Sequence, residues 1–312
     1  MKLLSDLKFT DLYLDADRPQ DALFRGLNEQ DHGLSQISIE YLDDLRGLSD
    51  RLRDAHTEED GFLLQYGEGR YRCAVITQSI NNPDQKFFCL RKISVEEFGD
   101  LWGTTSFSVK NLAKSSMSKR GMILFSGGFS SGKSRSASVA VDYWASQSNE
   151  VAVTLEDPPE YNLDRRSGDK GIIIQTNVIG GRLSQELINL RRWAPRYVFF
   201  GELRTPSMAA ALLHMSISGP LCLCTIHASS STKAIFSLVR FASEVMNEET
   251  ALDIISSSLV GIVHHNRDAH KFTTVGHDFT DADSAILRAK IRNGRASSVE
   301  EELDRRERLR RM

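Results

Sequence analysis

The sequence is poor in cysteine and proline and has no long hydrophobic run. Its 312 residues include 4 cysteines and 7 prolines. No two cysteines form a CxxC motif or a zinc-binding spacing, which excludes a disulfide-rich scaffold and predicts a reducing, cytoplasmic compartment. No segment approaches the roughly 18 apolar residues of a membrane-spanning helix. Asp6 and Lys8 interrupt the first segment, so we expect no secretory signal and, at most, peripheral association with a membrane.

The chain also has no large excess of charge of either sign. Its 39 Lys and Arg residues and 42 Asp and Glu residues give a net charge of -3. This balance argues against a broadly basic surface, so we expect no direct sequence-specific binding of nucleic acid. A hydrophobic fraction of 40% with 26% charged residues predicts a packed globule, long enough for one large domain or two ordinary ones.

Residues 1–94 are predicted to form a small α+β domain with an antiparallel sheet. Alternating apolar residues and flanking turn compositions predict its strands, and apolar residues at helical spacing predict one helix over 35–55 with Ser38 as its N-cap. The predicted strands are 9–15, 61–66, 71–80 and 86–93. Residues 95–120 are interpreted as a linker followed by a helix that leads into the next domain.

From residue 121 to 312 the pattern changes to alternating strands and helices, which predicts an α/β domain with a mainly parallel sheet covered by helices. Cys222 and Cys224 alternate in one apolar segment and are expected to be small buried side chains of a strand. The predicted strands are 122–126, 151–156, 171–176, 197–202 and 221–227, and the predicted helices are 133–147, 184–194, 206–218, 233–242, 251–265 and a charged, solvated tail over 297–311.

The segment GGFSSGKS, residues 127–134, follows a predicted strand and opens a predicted helix. It fits the pattern GxxxxGK[ST], in which backbone N–H groups converge on a phosphate. Lys133 can reach the β- and γ-phosphates of a nucleotide, and the Ser134 hydroxyl can bind Mg²⁺. We assign the binding of ATP to Gly127, Gly128, Ser130, Ser131, Gly132, Lys133, Ser134 and Arg135.

Hydrolysis would also need acidic groups at the carboxyl ends of neighbouring strands, where ligands of open α/β sheets bind. Glu156 and Glu202 each end a predicted strand, and His227 ends a third. One carboxylate would position or deprotonate the attacking water and the other would help Ser134 to hold Mg²⁺, for which we assign Glu202. Taken singly, each residue could instead cap a helix or be an ordinary hydrogen-bonded histidine.

These segments, in this order, resemble the motifs of the secretion ATPase superfamily, which includes PilT-like pilus motors and the ATPases of type II and type IV secretion and of conjugation. The Walker A loop, Asp box, Walker B strand and His box of that superfamily resemble GGFSSGKS, TLEDPPEY (154–161), YVFFGELR (197–204) and CTIHASS (224–230). The resemblance implies a PAS-like domain followed by a RecA-like ATPase domain.

The resemblance covers nearly the whole chain. It implies that Arg70, Arg72 and Arg91 reach the nucleotide, which would bind between the two domains, and that 92–101 is a hinge. An exposed sheet face is the alternative interpretation of the arginines. The family forms hexameric rings on the cytoplasmic face of the inner membrane. Segment 285–294 is similar to the PilT-like branch, whereas RRWAPR (191–196) and GELRT are more similar to conjugation and type IVB secretion members such as DotB and TraJ.

Three residues depart from the family pattern. Ser130 replaces a glycine of the loop, which predicts local strain or altered nucleotide affinity. Pro220 follows Gly219 where the His box has histidine, and Thr205 follows Arg204 where Walker B has aspartate. None of these changes removes a group that performs chemistry.

The sequence therefore predicts a hexameric, Mg²⁺-dependent ATPase that works with inner-membrane secretion or pilus proteins. The alternatives are a nucleotide-dependent docking module with little turnover and a P-loop kinase for a small molecule. The spacing of four further histidines does not predict a metal site, and the first two are expected at the polar end of a packed helix. These histidines are His264, His265, His270 and His277.

Overall fold

The computed structural model describes residues 2–26, 33–55, 61–76, 86–93, 102–166, 170–178, 183–268, 271–281 and 284–311. The chain divides into two compact units: Met1–Val95 with Pro158–Asn162, and Glu96–Asp157 with Leu163–Met312. The boundary that we placed at residue 94 and most of the expected hinge fall in 94–101, outside the described residues, and both stay predictions. The inclusion of Pro158–Asn162 in the first unit had no signal in the sequence.

The first unit contains a six-stranded sheet with the order β3-β2-β1-β6-β5-β4, in which every strand pair is antiparallel. Its elements are β1 (Phe9–Asp15), β2 (Leu23–Gly26), β3 (Ser35–Gln36), α1 (Leu42–Ala55), β4 (Gly61–Tyr66), β5 (Gly69–Ile76) and β6 (Phe87–Lys92), with short 3₁₀ turns at Leu4–Asp6, Pro19–Asp21 and Ile39–Tyr41. The antiparallel sheet and the strands predicted at 9–15 and 61–66 are confirmed.

Helix α1 packs on one face of this sheet through leucines spaced three and four residues apart. Leu45, Leu48 and Leu52 are at most 2% exposed, as the 3.6-residue period requires. The predicted helix start was too early, because Ser35–Gln36 pairs with β2 as a strand. Ser38 precedes only a 3₁₀ turn and makes no side-chain capping bond.

The second unit contains a seven-stranded sheet with the order β13-β12-β7-β11-β10-β8-β9. All neighbours are parallel except β12 and β13. The strands are β7 (Gly121–Gly127), β8 (Val151–Glu156), β9 (Ile172–Asn177), β10 (Tyr197–Glu202), β11 (Leu221–His227), β12 (Leu259–Asp268) and β13 (Lys271–Asp278). The helices are α2 (Phe107–Ser116), α3 (Lys133–Ser148), α4 (Leu183–Trp193), α5 (Pro206–Ser216), α6 (Ser231–Ser243), α7 (Glu248–Ser258), α8 (Ser284–Arg292) and α9 (Ala296–Arg311).

Helices cover both faces of this sheet, so its central strands are apolar on both sides. All seven residues of β7 are buried. Met122 and Leu124 pack into one hydrophobic cluster, whereas Ile123 and Phe125 pack into another that contains residues of α2 and α3. Cys222 and Cys224 are fully buried in β11, and burial raises the pKa of both thiols. The α/β fold class with a mainly parallel sheet is confirmed.

The helix predicted over 251–265 is wrong in its second half. Helix α7 ends at Ser258, and Leu259–Asp268 forms β12, which pairs in parallel with β7. The segment LVGIV is rich in β-branched residues, which favour strands. A Cβ on Gly261 would lie 2.5 Å from a methyl group of Leu112, so a side chain there would have to displace Leu112 of α2.

The charged tail is helical as predicted, but it is not a solvated terminus. Val299 and Leu303 of α9 are 0% and 4% exposed and join the core cluster. Glu302 is 3% exposed and pairs with Lys290, Arg305 and Arg306 at 3.6, 2.7 and 3.2 Å. The high charge content concealed a narrow apolar stripe. Within the described ranges, no helix is both long enough and apolar enough to cross a bilayer.

Candidate nucleotide site

Parallel strands bring the predicted catalytic residues to one edge of the second unit's sheet. Glu156, Glu202 and His227 end β8, β10 and β11, and β7 runs beside β11 into the glycine loop. Gly127 and His227 are direct register partners. The carboxyl edge of a doubly wound sheet is where ligands bind, so these residues share an edge with the start of the loop.

The loop backbone adopts conformations that depend on glycine at two positions. Gly127 and Gly132 have φ angles of 147° and 88°, and a Cβ on Gly127 would collide with the backbone carbonyl of His265. Ser130 has φ of 52°, in the left-handed region that is unfavourable for side chains other than glycine and asparagine. The strain expected from the replacement of glycine by Ser130 is therefore visible in the backbone.

Lys133 begins α3 and is only 6% exposed. Its Nζ donates to the Gly128 carbonyl oxygen at 2.6 Å, and Ser131 Oγ donates to the same oxygen at 2.9 Å. Burial, and after it the ammonium charge of Lys133, lowers the pKa of both His227 and His264. The positive charge of Lys133 and the N-terminus of α3 therefore act on the same region, as anion binding at a helix start requires.

Glu202 is held from two sides. Arg204 Nε donates to Glu202 Oε2 at 2.7 Å and the Arg204 Nη2 group contacts the same oxygen, while His227 Nε2 lies 3.3 Å from Oε1. Burial and the Lys133 charge lower the pKa of His227 despite the opposing effect of Glu202. At neutral pH His227 is thus a neutral imidazole beside Glu202.

Glu156 is 5% exposed, and Gln175 Nε2 donates to its Oε1 at 2.8 Å. Strand β10 changes register between Phe200 and Glu202. The intervening Gly201 lies against Glu156, because a Cβ there would be 3.2 Å from Glu156 Cα and 3.3 Å from its Cγ. The two acidic strand ends are therefore packed side by side through a glycine bulge.

Helix α3 also carries the remaining predicted ligands. Ser134 is partly buried, whereas Arg135 is exposed and donates from Nη2 to Thr104 Oγ1 at 3.1 Å. Ser134, Glu156 and Glu202 offer only oxygen atoms, which are the ligands that Mg²⁺ prefers. The donor chemistry therefore fits Mg²⁺ together with phosphate oxygens. No group of three or more His, Cys, Asp or Glu side chains that could hold a metal occurs in the part of the chain that the structure describes.

Two histidines lie near the loop although the sequence did not predict them there. Both are on β12, on the other side of β7. His264 Nδ1 is 2.9 Å from Ser126 Oγ, and His265 Nε2 is 2.9 Å from Ser136 Oγ. Burial lowers the pKa of His265 to about 4. Sequence reasoning missed them because it placed both at a helix end. His277 lies on β13, and His270 lies outside the described residues.

The three predicted arginines share one face of the first unit's sheet. Arg70 and Arg72 alternate along β5, and Arg72 is the register partner of Arg91 on β6. The opposite face is core, since Tyr71 and Leu90 are at most 1% exposed. The face that carries the arginines is not simply solvated, because the unit's own segment Pro158–Asn162 packs against it.

Each of these arginines has a polar partner. Arg91 Nε donates to Asp11 Oδ1 at 2.7 Å, and this carboxylate raises the pKa of the guanidinium. Arg72 Nη1 lies 4.0 Å from Glu160 Oε1, and Arg70 Nη1 donates to Asn162 Oδ1 at 3.0 Å. The arginine face is therefore held by carboxylate and amide oxygens. A pocket beside it is lined by Arg72, Arg91, Lys92, Ile93, Pro159, Glu160 and Tyr161.

The departures from the family pattern have local explanations. Thr205 is the N-cap of α5, where its Oγ1 accepts from the Met208 N–H at 3.3 Å. Gly219, which precedes Pro220, has φ of 133° at the turn before β11.

Arg204, Gln175 and Phe129 also belong to the site, because each touches a predicted catalytic residue. Their side-chain types alone carry no signal of these contacts.

Known sequences and structures include several that are similar to this chain. The pattern of the family described as "Type II/IV secretion system protein" matches residues 88–310. The type IV pilus ATPase PilU of Pseudomonas aeruginosa is 28% identical over 155 residues, which are 49% of this chain and 39% of PilU. This chain therefore matches well under half of that relative's length.

Two solved structures share the fold. The pilus retraction motor PilT with bound ADP superposes with a TM-score of 0.70 at 21% identity, covering 96% of this chain and 86% of PilT. The Legionella pneumophila ATPase DotB superposes with a TM-score of 0.68 at 17% identity, covering 95% of this chain and 85% of DotB. These likenesses confirm the RecA-like fold.

Proposed function

Because the chain belongs to the Type II/IV secretion system protein family, we propose that it is an ATP-hydrolysing hexameric motor. It would power a secretion, conjugation or type IV pilus machine at the cytoplasmic face of the inner membrane. The observation that carries this proposal is the common sheet edge of the Lys133 loop, Glu156, Glu202 and His227. The family implies nucleotide binding, and the names of PilU and PilT support a motor.

In this proposal the loop and the N-terminus of α3 bind the phosphates of ATP. Lys133 neutralises the β- and γ-phosphates, and its short bond to the Gly128 carbonyl keeps it inside the loop. Ser134 and Glu202 would hold Mg²⁺, which supplies charge neutralisation when bound. Arg204 and His227 fix the Glu202 carboxylate, which limits the motion of this group during reaction.

Glu156 would complete the acidic pair by orienting or deprotonating the attacking water, although either carboxylate has the chemistry for this role. A neutral His227 can detect the γ-phosphate through a hydrogen bond without adding a charge. Arg70, Arg72 and Arg91 would stabilise the negative charge of the transition state, as arginines do in phosphoryl transfer. Their present oxygen partners support this assignment, since carboxylates and phosphates suit the same guanidinium geometry.

The first prediction tests the acidic pair. Glu202→Gln should leave ATP binding intact and abolish turnover, because the amide keeps the shape of the side chain but loses its charge. Phosphate release and binding of a fluorescent ATP analogue measure the two effects. Glu300→Gln, an exposed acid on α9, is the matched control and should behave like the parent. Hydrolysis by Glu202→Gln at the parent rate would remove Glu202 from the catalytic set.

A docking module that binds nucleotide with little turnover is the second candidate. The left-handed Ser130 backbone favours it, because a strained loop can lower the affinity for the transition state. The absence of steady-state phosphate release from the parent protein, over concentrations that permit ring formation, would favour this candidate. A small-molecule kinase would instead transfer phosphate to an acceptor without any ring.

A further inference from the structure

Phe129 occupies the tip of the phosphate-binding loop and is 84% exposed. An apolar ring of this size is usually removed from water by packing into a core. Phe129 has no place in any of the three hydrophobic clusters formed by described residues. In the third place of GGFSSGKS, its ring therefore contributes little to the packing of the core.

The ring of Phe129 does contact one side chain of the site. Its centroid lies 3.8 Å from the centroid of the His227 ring, at an interplanar angle of 46°. The two residues are brought together by the strand register, because His227 at the end of β11 is paired with Gly127 at the start of the loop. The loop thus touches His227 directly, through a side chain that does not itself bind phosphate.

The contact is made to His227, whose ring orientation decides whether its Nε2 faces Glu202. His227 Nε2 lies 3.3 Å from Glu202 Oε1, and Arg204 holds the other oxygen of the same carboxylate. The charged groups that act on the imidazole are Lys133, Glu202 and Arg204. The Phe129 ring, tilted against the imidazole, adds a second restriction on rotation of the His227 ring to the one that the Glu202 contact provides.

We propose that Phe129 is a positioning residue for hydrolysis, which packs on the His227 imidazole and holds its Nε2 toward Glu202. The loop that receives the phosphates then also sets the histidine, so binding and alignment occur in one structural unit. The inference rests on the proposed function, since it assigns Phe129 a part in that reaction. The chemical class of substrate is unchanged: a nucleoside triphosphate.

The kinetic test compares Phe129→Ala with Phe129→Trp, which keeps an aromatic face. We expect Phe129→Ala to lower kcat at least five-fold with less than a two-fold change in KM for ATP, and Phe129→Trp to restore most of the loss. Phe107→Ala is the matched control, because Phe107 is 78% exposed on α2. In a His227→Ala background, Phe129→Ala should have little further effect, because the two residues act as one unit. Additive losses would overturn the proposal.

A second measurement does not depend on turnover. The ring current of Phe129 should displace the imidazole carbon-bound proton signals of His227 in NMR spectra recorded at one fixed pH. Phe129→Ala should move these signals, and Phe107→Ala should not. Unmoved signals, with hydrolysis by the parent intact, would overturn the role of Phe129 and leave the proposed function standing. A parent protein without any turnover would overturn the proposed function and, with it, the positioning role.

Discussion

Ser130 places backbone strain in the loop of the proposed phosphate site. Its φ of 52° places a side chain where the left-handed conformation costs about 1 to 2 kcal/mol for most residues. The loop is also held by the Ser131 hydroxyl and the Lys133 ammonium group, which both donate to the Gly128 carbonyl oxygen. The strain therefore persists because the surrounding contacts determine the backbone.

Ser130→Gly is expected to relieve this strain. The free energy of unfolding should rise by about 0.5 to 1 kcal/mol, since glycine removes the steric cost but adds chain entropy, and the affinity for ATP should increase. Urea titration and nucleotide titration measure the two quantities. Ala194→Gly is the control, because Ala194 is exposed with φ of 45° at the end of α4. Ala194→Gly should gain stability but no affinity for ATP. Equal gains in affinity for ATP in both variants would contradict a local effect of Ser130.

His265 makes stability depend on pH. Its folded pKa of about 4 lies below the ordinary 6.5, so the unfolded chain takes up a proton first as pH falls. Above pH 6.5 His265 does not reduce the free energy of unfolding. Between pH 6.5 and 4 the free energy of unfolding falls by roughly 3 kcal/mol because of this residue. His265→Gln should flatten this part of the stability profile in urea titrations. His214→Gln, a change at an exposed histidine, should leave the profile as in the parent.

The shared sheet edge of the loop and the strand-end residues was predictable, because parallel strands bring their carboxyl ends to one edge of a sheet. Lys133, Glu202 and His227 stand out by residue type and by position after apolar strands. The contact between Phe129 and His227 was not predictable, since it depends on β11 lying beside β7 rather than elsewhere in the sheet. Sequence order does not reveal the lateral order of parallel strands.

At the scale of elements, β12 was the main error, and its cause is physical. The segment SSSLVGIVHH fits a buried helix and a buried strand equally well, because a continuous apolar run has no periodicity to separate them. Only the parallel pairing with β7 decides the outcome. A different limit applied to α9, whose helix was predicted but whose burial was not, because two apolar residues among many charges were enough to bury one face.

The bulge at the end of β10 gives a prediction at this scale. Gly201→Ala would place a Cβ 3.1 Å from the Leu155 carbonyl oxygen and 3.2 Å from Glu156 Cα. Overpacking of this kind costs about 1 to 3 kcal/mol and should displace both acidic strand ends. We expect a loss of ATPase activity larger than the loss of folded protein explains, measured by phosphate release and urea unfolding. Gly103→Ala, where a Cβ meets nothing within 4 Å, should change neither.

At the scale of the whole molecule, the proposed hexamer can be tested by mass. Light scattering of Glu202→Gln with ATP should give six times the 35.0 kDa of one chain, because this variant should keep the nucleotide in place. Lys133→Ala, which would remove the proposed phosphate contact, should stay at a lower mass under the same conditions. A mass of one chain for both variants at every concentration and with every nucleotide would contradict the ring.

The segment Pro158–Asn162 belongs to the first unit although the residues on either side of it belong to the second. The chain therefore passes between the two units at three places, 95/96, 157/158 and 162/163. Only Asp157 stands between Glu156 and the start of that segment. One residue of chain therefore separates an acidic side chain of the proposed site from the first unit, so a substitution at Pro158 is covalently close to Glu156 although it belongs to the other unit.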